Sequence, residues 1–225
     1  MARPGDVVEN PLFGARATFL ETTEQTNGEL LRVEVVLPPG FPISEHVHPA
    51  QEERHDVLSG TLSARVGGCE RSYGEGERVV GPPGVPHAWC NPSDSEELRL
   101  ISEHRPALHM EEMLEGSFNI SRDLQVDKRG ALKHLLRLAV LMDEVKDDFY
   151  MTQAPMQALL VLFASLAPVG RLLGYTPSSP EYSGQRGAGG SEERRGVPLK
   201  ASQGVAMVLV LLMAAFFVLR RRARA

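Results

Sequence analysis

The stretch that decides the fold reads Gly40-Phe-Pro-Ile-Ser-Glu-His46-Val-His48-Pro-Ala-Gln-Glu-Glu53-Arg-His-Asp-Val-Leu-Ser-Gly60. Alternate side chains of an extended strand point to the same face, so His46 and His48 are expected to project together. Neutral imidazoles and a carboxylate are ligands that divalent transition metals accept. The segment therefore predicts part of a metal site.

A third histidine comes from a second stretch, Gly76-Glu-Arg-Val-Val-Gly-Pro82-Pro-Gly84-Val-Pro-His87-Ala-Trp-Cys-Asn91. The first stretch follows the spacing Gly, five residues, His-x-His, four residues, Glu, six residues, Gly. The second follows Gly, five residues, Pro-x-Gly, two residues, His, three residues, Asn. In this order the two patterns resemble the two motifs of the cupin family. The resemblance covers residues 28–106, under half of the chain.

The resemblance implies a mainly β fold, a small double-stranded β-helix or jelly-roll barrel with a metal in its lumen. It implies that the ligands are His46, His48, Glu53 and His87, and that Glu53 rather than Glu52 keeps the six-residue spacing. The alternative is a polar barrel lining without metal, which four ligand-type residues at these spacings disfavour. Fe, Mn, Ni, Co, Cu and Zn all accept this donor set, so the metal stays open.

Short apolar runs predict the strands independently of the resemblance. Leu31 to Leu37 alternates apolar and polar residues, and residues 62–66, 79–80 and 98–101 give further short runs between Gly and Pro signals. Such punctuation is typical of a sandwich or barrel rather than of βαβ units.

Three residues near the ligands have expected roles. Strand parity puts His55 on the face of Glu53, as a general base, a partner of the ligands, or simply cavity wall. Trp89 shares a face with His87 and should form cavity wall, with stacking on an aromatic ligand as the alternative. We expect Asn91 to bond the backbone of a turn.

The composition excludes some functions. The chain has 225 residues and a formal net charge of −5, which gives no basic face for nucleic acid. Its two cysteines, Cys69 and Cys90, have neither a zinc-site nor a disulfide-framework spacing, which favours a reducing compartment.

Helical periodicity begins after residue 107. We expect a short helix ending before Gly116, a second over residues 132–142 and a third over 156–173. The third is expected to pack on the barrel or on a partner in a homodimer, with membrane contact as the less favoured alternative. We place His134, Arg137, Lys133 and Asp143 on the polar face of the second helix, and expect the three histidines outside the motifs, His104, His109 and His134, to lie at the surface.

The C-terminal part has a different composition. Residues 204–219 are sixteen uncharged, mostly apolar residues, about 24 Å long as a helix against a hydrocarbon core of about 30 Å. We predict a single transmembrane helix, the alternative being a buried soluble helix. The arginines that follow favour a cytoplasmic C-terminus, whereas the polar start without a signal peptide favours a tail-anchored protein. We predict the tail anchor, with the cupin-like part in the cytoplasm.

The sequence therefore predicts six segments. They are an N-terminal strand or lead-in (1–27), the barrel (28–106), a helical extension (107–175), a flexible linker (176–203), the transmembrane helix (204–219) and a basic tail (220–225).

Two functions follow from the resemblance. In the first, the metal and a small-molecule substrate make the chain a metal-dependent dioxygenase or isomerase, with Glu53 changing from ligand to base and His55 as reserve base. In the second, the chain is a non-catalytic module that binds or senses a metal and a small ligand at the membrane.

Overall fold

The computed structural model describes residues 2–126 and 130–176, which form eleven strands and three helices. The strands are β1 (Val7–Asn10), β2 (Ala15–Glu21), β3 (Leu31–Leu37), β4 (Pro42–Val47), β5 (Glu52–Ser59), β6 (Leu62–Val66), β7 (Cys69–Tyr73), β8 (Arg78–Gly81), β9 (His87–Cys90), β10 (Leu98–Arg105) and β11 (Tyr150–Met151). The helices are α1 (Met110–Val126), α2 (Ala131–Glu144) and α3 (Ala154–Leu172).

The strands form two antiparallel sheets packed face to face. One sheet has the order β1-β2-β3-β10-β5-β8 and the other has the order β11-β4-β9-β6-β7. Their apolar faces share one core, in which Leu37 and Leu100 of the first sheet pack with Leu62 and Trp89 of the second. The sequence predicted a mainly β sandwich or jelly-roll barrel of short strands followed by helices, and the two packed antiparallel sheets and the helices after them confirm this coarse architecture.

The N-terminal segment extends the six-stranded sheet. Strand β2 pairs with β3, and β1 pairs with β2 at the edge. Alternation explains the pairing, because Ala15, Ala17 and Phe19 are buried on one face while Arg16 is exposed. Residues 7–21 thus add two strands to the sheet that carries β5.

Three residues at turns behave as their types require. Gly60 has φ of +84°, and a Cβ there would lie 2.7 Å from the Glu97 carbonyl oxygen, so only glycine fits where β5 ends. Gly84 also has a positive φ. The Asn91 amide bonds turn backbone, as predicted. Its Nδ2 donates to the carbonyls of Leu37, Pro38 and Glu96, and its Oδ1 accepts from the Ser93 amide.

Helix α1 corrects one prediction. It runs through Gly116 to Val126 instead of ending before Gly116. A glycine inside a helix costs about 1 kcal/mol relative to alanine. Burial of Ile120, which packs against α2 and α3 residues, offsets that cost.

Helix α2 lies between α1 and α3, so it has two buried sides. His134 and Arg137, which were predicted on a polar face, are only 2% and 6% exposed. That prediction was wrong, because a neighbour covers the side that a single-faced amphipathic helix would expose. Arg137 pairs there with Asp123 of α1.

Helix α3 packs on α2. A Cβ at Gly170 would lie 2.6 Å from Val140 Cγ2, so the two helices approach closely there. Among the helices within residues 2–126 and 130–176, one, α3, has the length and the apolar composition to cross a membrane. Only 17% of its apolar window is buried. Its outward side chains Val161, Leu162 and Leu172 are exposed. The predicted transmembrane helix over 204–219, the basic tail and all but the first residue of the predicted linker lie outside the described residues.

Candidate metal centre

The four predicted ligands come together between the two sheets. His46 lies on β4, His48 follows that strand, and His87 begins β9 directly opposite His46. Glu53 reaches the same point from β5 in the other sheet. One donor atom from each residue lies within 4.8 Å of the other three, and none of the four residues is more than 8% exposed.

The distances suit a single ion. Glu53 Oε2 lies 3.1 Å from His87 Nε2, 3.5 Å from His46 Nε2 and 3.8 Å from His48 Nε2. Two donors each about 2.1 Å from one metal are about 3.0 Å apart at a right angle and about 3.4 Å apart at a tetrahedral angle. The observed separations therefore need only small adjustments to enclose one divalent cation.

Backbone carbonyls orient all three imidazoles. Each Nδ1 faces a carbonyl oxygen, which accepts and never donates, so in the neutral form of each ring Nδ1 carries the proton and Nε2 presents a lone pair. The three pairs are His46 with Ser44 at 2.8 Å, His87 with Val85 at 2.8 Å and His48 with Asp148 at 3.0 Å.

The donor atoms fit a metal chemically as well. Within the described part of the chain, the buried Nε2 atoms of His48 and His87 have no hydrogen-bond partner. A buried polar atom left unsatisfied costs about 1–3 kcal/mol. Three imidazole nitrogens and one carboxylate oxygen form a donor set that divalent transition metals accept. The group could hold such an ion.

The electrostatics favour a cation at this point. Burial raises the pKa of Glu53, but the charge of His55 and the close imidazoles of His46, His55 and His87 outweigh burial and hold that pKa well below its ordinary value. Burial lowers the pKa of His48 to about 4. Glu53 is therefore an anion and His48 a neutral imidazole at neutral pH.

The pKa of His46 predicts proton release on metal binding. Burial lowers this pKa, but the hydrogen bond and charge of Glu53 outweigh burial and raise it above 6.5. Near pH 6 the metal-free His46 is thus protonated, and a metal must displace that proton. Metal affinity should rise with pH until the raised pKa is passed. Calorimetry in buffers of different ionisation enthalpy should show about one proton released at about pH 6 and fewer at about pH 9. Zero release at the lower pH would contradict this.

His55 and Trp89 hold the Glu53 carboxylate. Trp89 Nε1 donates to Oε2 at 3.0 Å, and His55 Nε2 lies 3.2 Å from Oε1. The His55 ring meets the indole edge-to-face at 4.7 Å between centroids. Both residues thus lie beside the ligands, on the face that strand parity predicted.

Two buried residues near the ligands, His104 and Ser102, were not predicted there from the sequence. His104 was predicted at the surface, but it is only 4% exposed, and that prediction was wrong. On β10 it lies opposite Glu53, and Ser102, whose Oγ is 3.0 Å from His104 Nε2, lies opposite His55. Burial lowers the pKa of His104 to about 3. The missed signal was the alternation Leu98, Leu100, Ser102, His104. His109, by contrast, is exposed as predicted.

The helical extension also reaches the centre. The Phe149 ring lies 6.4 Å from the His46 ring and 6.1 Å from the His48 ring, between centroids. The connection from α2 to β11 supplies both Phe149 and the Asp148 carbonyl. Neither residue belongs to a sequence pattern that could have placed it here.

A family model for the cupin domain matches residues 33–102, which carry all four converging residues. This part of the chain is a cupin. The cupin match spans β-strands from both sheets and ends at Ser102 on β10. No curated protein matches the chain.

Solved structures show similarity over part of the chain. An RmlC-like cupin from Shewanella frigidimarina is 24% identical over 44% of this chain and 83% of its own, with a TM-score of 0.39. A predicted oxalate decarboxylase from Thermotoga maritima is 18% identical over 47% and 98%, with a TM-score of 0.40. The Schizosaccharomyces pombe Cnp3 cupin domain is 15% identical over 41% of this chain and 64% of its own, with a TM-score of 0.37.

Proposed function

We propose that this cupin binds one divalent transition metal through the Nε2 atoms of His46, His48 and His87 and through Glu53 Oε2. The observation that carries the proposal is the convergence of three imidazole Nε2 atoms on one carboxylate, within a few ångströms and almost fully buried. Fixed proton positions on Nδ1 mean that the imidazoles need no rearrangement to bind. The donor set leaves Fe, Mn, Ni, Co, Cu and Zn open.

We further propose that the metal centre acts on a small molecule, as a metal-dependent dioxygenase. A bound metal would supply Lewis-acid polarisation and a template for the substrate. Glu53 is the base, because its Oε1 lies 3.2 Å from His55 Nε2, and a neutral His55 can accept a proton from that oxygen. Trp89 keeps the other carboxylate oxygen in place through its indole N–H.

A second candidate is a binding or sensing module without turnover. The near-complete burial of the four ligands favours it, because a substrate has little open surface through which to reach the metal. His46, at 8% exposure, is the most accessible of the four. In this case the barrel would hold a metal and a small ligand, and ligand release would be the functional step.

Oxygen uptake distinguishes the two candidates. Metal-loaded full-length protein, offered flavonols, catechols and small diketones, should consume oxygen with at least one class. Glu53→Gln should lower the rate per bound metal by about 100-fold or more, since a general base contributes about 10²–10⁴. Glu52→Gln is the matched control, because Glu52 bonds Arg54 rather than a ligand histidine. Full metal occupancy without uptake across the panel would favour the binding module.

We also propose that residues 204–219 anchor the protein in a membrane, with residues 176–203 as a flexible linker and the cupin in the cytoplasm. Support comes from the sequence, in which an uncharged apolar run follows a polar segment and precedes four arginines. The anchor would hold the metal centre close to molecules released at the membrane surface.

A further inference from the structure

Of the three histidines in the proposed ligand set, His48 depends on a distant part of the chain. His46 and His87 each bond the carbonyl of a residue two positions earlier, so their local backbone sets their orientation. His48 Nδ1 bonds the carbonyl of Asp148, 100 positions away, at 3.0 Å. His48 also lies just beyond the end of β4. Its orientation therefore requires the connection between α2 and β11.

The Asp148 carboxylate fixes this connection in place. Its Oδ2 accepts from the backbone N–H of His109 at 2.9 Å and lies 3.0 Å from the imidazole Nδ1 of the same residue. His109 immediately precedes α1, so the carboxylate lies at the N-terminal end of that helix, where unpaired N–H groups attract anions. Asp148 thus joins α1 to the metal centre: its carboxylate contacts His109 at the start of α1, and its carbonyl contacts His48.

Neighbouring contacts place the same connection over β4. Strand β11 pairs with β4, with Tyr150 opposite Val47 and Met151 opposite His46. The Thr152 hydroxyl donates to Glu45 Oε1 at 2.7 Å. These contacts and the ring of Phe149 cover β4, which carries His46, and also cover His48, which directly follows β4.

We infer that Asp148 is a positioning residue of the metal centre and that the helical extension is part of the metal site. Its carboxylate holds the connection against α1, and its carbonyl keeps the proton of His48 on Nδ1 so that Nε2 faces the other donors. The inference rests on the proposed metal-binding function. Loss of a residue that orients a metal ligand by a hydrogen bond typically lowers metal affinity about 10- to 100-fold.

Cobalt(II) titration of the full-length protein tests this inference, followed by the visible absorption of the bound ion. Asp148→Ala should weaken Co²⁺ binding about 10- to 100-fold and change the absorption bands. Asp148→Asn keeps an oxygen that accepts from the His109 amide, so it should restore most of the affinity. The control is Asp147→Ala, which removes a carboxylate from the exposed neighbouring position and should bind Co²⁺ like the wild type.

A second variant covers the case in which Asp148→Ala does not fold. His109→Ala removes one partner of the carboxylate at a side chain that is 47% exposed, so it should fold normally and bind Co²⁺ several-fold more weakly. In metal-free protein, long-range ¹H–¹⁵N spectra should show His48 as the Nδ1–H tautomer in the wild type and a mixture in folded Asp148 or His109 variants. Wild-type affinity and tautomer in the folded variants would overturn the inference. A wild-type chain that binds no Co²⁺ would instead overturn the proposed function.

Discussion

His48→Ala is expected to lower the metal affinity of the chain by more than about 100-fold. Loss of a group that merely hydrogen-bonds a metal ligand already lowers metal affinity about 10- to 100-fold, and this substitution removes a ligand itself. The substitution removes one of four donors and leaves a void at a residue that is 1% exposed. The remaining three donors would have to take up the ion without rearranging a packed barrel. Equilibrium dialysis against Zn²⁺ or Mn²⁺, with elemental analysis of the protein, measures the loss.

His104→Ala is the matched control for this substitution. It also removes a buried imidazole from the lumen, but His104 is not one of the four converging residues. We expect it to keep metal affinity within about tenfold of the wild type. Full metal binding by His48→Ala together with loss in His104→Ala would show that the ligands have been assigned to the wrong histidines.

Removal of the apolar C-terminal run should move the protein from the membrane to the soluble fraction. Full-length protein should resist extraction by alkaline carbonate, because about 24 Å of uncharged helix has no favourable place in water. Chains ending at Ser179 and at Gln203 should both be soluble without detergent, and the second keeps the whole predicted linker. Centrifugation of carbonate-washed membranes followed by immunoblotting measures the distribution.

The longer of these two truncated chains also tests helix α3. This helix has the length and composition of a membrane span, and the chain ending at Gln203 retains it. Membrane retention of the chain that ends at Gln203 would assign the anchor to α3 rather than to residues 204–219. Full-length protein that is soluble without detergent would contradict membrane anchoring altogether.

Local patterns were enough to predict the strands, whereas the meeting of the four proposed ligands was implied by the resemblance to the cupin family. Alternation with a period of two identified β3, β6 and β10, and it set which face of β5 carries Glu53 and His55. The resemblance to the second cupin motif then implied that His87 lies at the same point. The strand patterns depend on residues close together in sequence, and turn glycines such as Gly60 fix how the strands join.

Local patterns could not predict burial or contacts that depend on a segment distant in the sequence. His134 has the spacing of a polar face, but α3 and α1 cover both sides of α2. The Asp148 carbonyl reaches His48 across 100 positions, and no local pattern encodes that contact. His104 is a different case, since continuing the alternation of β10 past Ile101 would have predicted its burial.

Elemental analysis of full-length protein purified from its native host tests the central claim most directly. The account predicts about one divalent transition-metal ion per chain, in keeping with a single group of four donors, and a matching loss of that ion from His48→Ala. Protein that carries no such metal and takes none up in dialysis, or a variant with unchanged metal content, would contradict it.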